Sequence, residues 1–99
     1  LNKVKVLKQK NKYEDELNKM KIIYKIEKEK SKIIKEKEDN LKRIINILEN
    51  KIKAIKEDVA NGLRTQIELE VLENSVKKYK IDQVRLKIQR DIIVIRLFS

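Results

Sequence analysis

The sequence predicts an all-α fold, an antiparallel coiled-coil hairpin of two long helices with its turn near Asn61-Gly62. Three observations carry that expectation: an unbroken heptad seam from Tyr13 to Val59, a change of seam phase beside the only glycine, and a helix-start pattern directly after it. Helix one is expected over about residues 2–60, the turn over 61–64 and helix two over about 65–98, one hairpin across the whole chain.

Composition bounds the answer first. Of 99 residues, 42% are charged and 4% aromatic, with a single Phe; that leaves little material for a globular core and makes an ordinary enzyme fold unexpected. Lys, Ile, Glu, Asn and Leu at helical spacing are the composition of a coiled coil. Cys and His are both absent, which removes disulfides, thiolate sites and the commonest metal ligand and general base. Paired acids such as Glu14-Asp15-Glu16 and Glu57-Asp58 lie in Lys-rich helical surroundings and read as surface. The expectation is therefore no enzyme, with no catalytic, cofactor or metal site. No apolar run approaches the ~18 residues of a membrane helix, and no signal-peptide pattern opens the chain. A chain that begins with Leu1 is expected to be a piece of something longer, so a missing targeting signal carries no information.

The net charge is +10, from 26 Lys and Arg against 16 acids. A nucleic-acid or acidic-membrane partner is one reading. The cations are spread among the acids, however, and only LNKVKVLKQKNK is a one-sign block. Arg is scarce and no aromatic stacking platform accompanies the block, so a solvated helical face is expected and no specific nucleic-acid partner.

In helix one, the positions that step by alternating four and three residues from Tyr13 through Leu17, Met20, Tyr24, Glu27, Ser31, Ile34, Glu38, Leu41, Ile45, Leu48, Ile52 and Ile55 to Val59 form one seam. Its polar members cluster in the middle third. The phase survives Asp39-Asn40, which therefore reads as helix and not as a boundary.

Extending that seam through the glycine would put Gln66, Glu73, Lys80, Gln83 and Lys87 at core positions. A seam of different phase does better: Leu69, Leu72, Val76, Tyr79, Gln83, Leu86, Arg90, Ile93 and Leu97. The register thus breaks at Gly62, whose tolerance of positive φ suits a chain reversal. Thr65-x-x-Glu68 then has capping-box spacing, and the Glu68 charge lies against the positive end of the new helix dipole. A turn centred on Gly62 would layer Ile55 with Leu69, Ile52 with Leu72, Leu48 with Val76, Ile45 with Tyr79 and Leu41 with Gln83. Farther out, Glu38 and Arg90 fall about one turn apart on facing helices and offset each other's charge.

Helix two carries a second apolar stripe, Ile81, Val84, Ile88, Ile92 and Ile95, that is not on its hairpin seam and must bury against something else. At ~1.5 Å per residue helix one reaches about 88 Å and helix two roughly 50 Å, so about twenty-five N-terminal residues overhang. Both features predict a homo-oligomer, with the stripe as its face.

The stretch Gly62-Leu63-Arg64-Thr65-x-Ile67-Glu68, between two long helices and followed by Leu69, Leu72 and Ser75, resembles the periplasmic helix turn of the TolC family of outer-membrane efflux proteins. The resemblance covers residues 40 to 97. The family's alanine repeats on the returning helix are replaced here by Lys, Ile and Val, and its barrel strands are absent. It implies a channel-forming segment of an export protein, sited in the periplasm, whose turn meets an adaptor and an inner-membrane pump. It also implies roles: Gly62 as the turn, Thr65 and Glu68 as its support, and Arg64 as a contact that holds the tunnel entrance shut. Against that stand a solvated turn cation for Arg64, and, for the chain, a generic coiled-coil oligomerisation or scaffold module or a basic helical nucleic-acid binder.

Overall fold

The computed structural model describes residues 2–98 and is an all-α helical hairpin. Helix α1 runs Asn2–Ala60 and helix α2 runs Gln66–Phe98. With no proline and one glycine, nothing in either helix interior interrupts the backbone ladder. Asp39 and Asn40 stay helical, and the Asn40 Oδ1 accepts from the Arg43 guanidinium at 2.8 Å. The molecule measures 90 × 15 × 14 Å. Its length is that of α1 alone, since 59 residues at ~1.5 Å each give about 88 Å.

The two helices bury the seams that the spacing marks out. Every α1 seam position from Glu27 to Val59, and every α2 seam position from Leu69 to Leu97, is buried or half-buried. Near the turn, Ile45, Ile52, Ile55, Leu69 and Val76 form the core cluster, with Leu48, Val59, Leu72 and Tyr79 packed around it. Removing each such aliphatic side chain from water contributes about 1.5 to 3 kcal/mol. The core thus sits at the turn end, where the seam is unbroken Ile, Leu and Val.

Farther out the seam turns polar. Arg90 donates to Glu38 Oε2 at 3.0 Å between the helices, and Lys80 reaches Glu49 Oε1 at 3.0 Å on the flank. The layers beyond rest on Ile34 and Ile93, both buried. Glu27 is the one buried charged residue among those described, 8% exposed, with Lys30 3.6 Å from its Oε1. Past Glu27, α1 continues without α2 opposite it, and Tyr13, Leu17, Met20 and Tyr24 are exposed although they keep the seam phase.

Candidate functional site

The turn is built by backbone hydrogen bonds that the sequence permits at one place. The Asn61 N–H donates to the Glu57 carbonyl at 3.0 Å, Gly62 N–H to Val59 at 3.1 Å, and Leu63 N–H to Asp58 at 2.7 Å. Gly62 has φ 73°. The last two bonds around a left-handed residue are a Schellman motif, which satisfies carbonyls that the end of a helix leaves without partners. The apolar contact that often accompanies the motif is missing, because Leu63 is exposed and its counterpart position is Asp58.

Electrostatics fill the gap. Glu57 and Asp58 lie in the last turn of α1, where the helix dipole disfavours anions. Arg64 places its Nε 3.3 Å from Asp58 Oδ2 and answers that charge from within the turn. On the other side Thr65 Oγ1 accepts from the Glu68 N–H at 3.4 Å, a long bond that makes half of a capping box. The return bond, from the Thr65 N–H to the Glu68 carboxylate, is not made among the described residues. Glu68 instead acts through its charge in the first turn of α2. Gly62, Arg64, Thr65 and Glu68 are thus brought together in one tip, all exposed. Asp58, which anchors Arg64, is the member that sequence reading missed; an acid six residues before a turn Arg is the signal for it.

The second constellation is apolar. Ile81, Val84, Ile88, Ile92 and Ile95 are 43 to 65% exposed. At 100° per residue they fall within about 80° of arc, roughly 160–180° from the face that α2 turns to α1. The stripe therefore points straight out of the hairpin. A further stripe went unread on α1: Ile22, Ile26, Ile33, Ile44 and Ile47, all exposed, share about 60° of arc at 100° per residue, off the seam face. Its spacings of four, seven, eleven and three are the signal, which the longer seam beside it hides.

Chemistry beyond packing has little to work with. Among the described residues there is no group of three or more Asp, Glu, His or Cys placed to hold a metal ion. No helix there is long and apolar enough to cross a membrane. The grooves along the rod are shallow; one is floored by Ile33, Ile34, Ile92 and Ile93 with Glu27 at its end and Lys30 and Lys37 on its rim. Compared with known proteins, the chain matches no family model, no curated protein and no solved structure, so no family membership is shown and a function must be built from the hairpin's own surfaces.

Proposed function

We propose that this chain is a structural, non-catalytic coiled-coil module that works by association with further copies of itself. The observation that carries the reading is the α2 stripe: five aliphatic residues in just over two heptads, all in water, on the face opposite the hairpin core. A helix with two opposite apolar seams is patterned to touch two neighbours, and one of those is already α1. Exposed apolar strips of that continuity mark interaction sites. Sedimentation is the test. At ~100 μM the chain is expected to be larger than a monomer, and Val84→Glu with Ile88→Glu is expected to weaken the assembly while the hairpin's own seam stays intact. A monomer with helicity fully retained would overturn the reading.

A more specific version makes the hairpin a tunnel-lining segment of a TolC-like export protein, with its tip in the periplasm against an adaptor and a pump. What favours it is the tip sequence Gly62-Leu63-Arg64-Thr65-x-Ile67-Glu68 together with the bonded, compact turn that this sequence forms. In that version Arg64 exchanges Asp58 for a neighbouring hairpin at the closed entrance. Sequencing the gene on both sides of this segment tests it: a second such hairpin and amphipathic strands of ~10 residues are expected, and flanks of unrelated character would remove it.

A further inference from the structure

One face of α1 is cationic without interruption. Lys21, Lys25, Lys28, Lys32 and Lys35 step by four and three residues, fall within about 80° of arc and form a straight row about 21 Å long, all of them exposed. Continued in the same steps, the row meets Asn18 and Glu14 on one side and Asp39 on the other. From Lys25 to Lys35 its members line a shallow groove with Glu29 and the half-buried Ser31. None of the five makes an ion pair among the described residues, Glu29 at the groove's edge included.

The hairpin supplies no complement for the row. Each of its positions lies one residue after a seam position, as Glu49 and Lys80 do, and those two meet across the helices at 3.0 Å. Carried outward in that register, Lys42 faces Lys87, Lys35 faces Val94, and Lys28 lies just past Phe98. Asp91 is the one acid of α2 beyond Asp82, and it makes no ion pair among the described residues. Like charges one turn apart on a helix repel. An anionic partner from outside the hairpin relieves that repulsion.

We propose that this row seats an anionic bilayer surface, on which the rod lies along its side without inserting. The row holds no apolar position, so a protein helix packed on it would bury ammonium groups and gain no apolar contact. Lipid headgroups leave the same ammoniums hydrated. The row is also straight, on a rod 15 × 14 Å in section, so a plane meets all five lysines at once. A duplex is itself convex and meets only part of the row. No base-reading or stacking side chain stands within it, which leaves a nucleic acid nothing but its backbone to bind. Each Lys near an anionic membrane contributes roughly fivefold to partitioning, so the row acts as a unit. It lies off both the hairpin seam and the α2 stripe, and the proposal is independent of self-association.

Vesicle cosedimentation in physiological salt tests it. The chain is expected to bind vesicles of mixed phosphatidylserine and phosphatidylcholine, to leave vesicles of phosphatidylcholine alone unbound, and to dissociate as salt rises. Lys25→Gln, Lys28→Gln and Lys32→Gln together are expected to weaken binding ~100-fold. Lys37→Gln, Lys51→Gln and Lys78→Gln remove the same charge from the opposite flank, each one residue before a seam position, and are expected to weaken it far less. Circular dichroism checks that both triple variants keep their helicity. Equal losses from the two would mean that net charge and not this face attracts the membrane, and would overturn the proposal. No binding to the phosphatidylserine vesicles would overturn it as well. Binding to duplex or single-stranded DNA that depends on the row and is tighter than binding to vesicles would assign the face to nucleic acid instead.

Discussion

Arg90 donates a 3.0 Å hydrogen bond to Glu38 Oε2, joining two seam positions 52 residues apart in sequence. Each residue alone is a charge at a core position of a coiled coil. Together they form one charge-assisted contact, although the second carboxylate oxygen of Glu38 is buried without a partner. Glu38→Ala strands a guanidinium that is a third exposed, and a loss of about 1 to 2 kcal/mol in urea unfolding is expected. Replacing both residues with Leu is expected to leave the hairpin at least as stable as the natural chain, because the pair gives up desolvation energy that two apolar side chains do not. A double variant weaker than either single variant would show that the pair contributes net stability.

Gly62 is the residue on which the reversal depends, and for backbone reasons alone. A Cβ added there meets no heavy atom within 4 Å, so space is not limiting. The cost of Gly62→Ala is that of holding a side chain at φ 73°, about 1 kcal/mol or somewhat more. Gly62→Asn should cost less, since Asn tolerates the left-handed region. Thermal unfolding of the three proteins checks the order Gly, Asn, Ala. Equal midpoints for Ala and Gly would mean that the turn relaxes to another geometry.

The hairpin was legible in the sequence because burial has a period. The seam that steps by four and three from Glu27 to Val59 coincides with the buried face of α1, and the phase change at Gly62 coincides with the turn. Facing pairs were less legible. Glu38 and Arg90 lie about a turn apart if Ile55 is set against Leu69, yet they bond, because long side chains span an offset that short aliphatic ones do not. The tip was legible as a turn and a cap but not as an ion pair, since Arg64 finds Asp58 only once the Schellman geometry folds the chain back.

Position along the seam, not hydrophobicity, sets what an isoleucine contributes. Ile55 is 3% exposed in the core cluster, and Ile47 is 65% exposed on α1's side stripe. Ile55→Ala is expected to cost about 2 to 4 kcal/mol, the range for emptying a packed aliphatic site. Ile47→Ala is expected to change stability by no more than about 0.5 kcal/mol, because Ala also has the higher helix propensity. Denaturant titrations below the concentration of any assembly measure both. Similar losses at the two sites would mean that a neighbouring chain covers the side stripe under those conditions.

The net charge of +10 raises the last question, whether the rod is a nucleic-acid binder. Five of the 26 cations sit beside an acid: Lys30 with Glu27, Arg64 with Asp58, Lys80 with Glu49, Arg85 with Asp82 and Arg90 with Glu38. Of the remaining lysines, Lys25, Lys28, Lys32 and Lys35 share one groove of α1 with Glu29 and Ser31, and the others are spread along a rod about 15 Å across with no base-reading element beside them. Duplex DNA is therefore expected to bind without sequence preference, at ~10⁻⁴ to 10⁻⁶ M in physiological salt, and the affinity is expected to fall steeply as salt rises. The N-terminal block from Lys3 to Lys12, whose five lysines meet no acid before Glu14, is where the residual attraction concentrates. Changing Lys3, Lys5 and Lys8 to Gln should lower the salt slope by roughly 2 to 3 and weaken binding equally to unrelated duplexes. Fluorescence anisotropy across a salt series gives both quantities; nanomolar, sequence-selective binding that survives the triple change would make nucleic acid the partner after all.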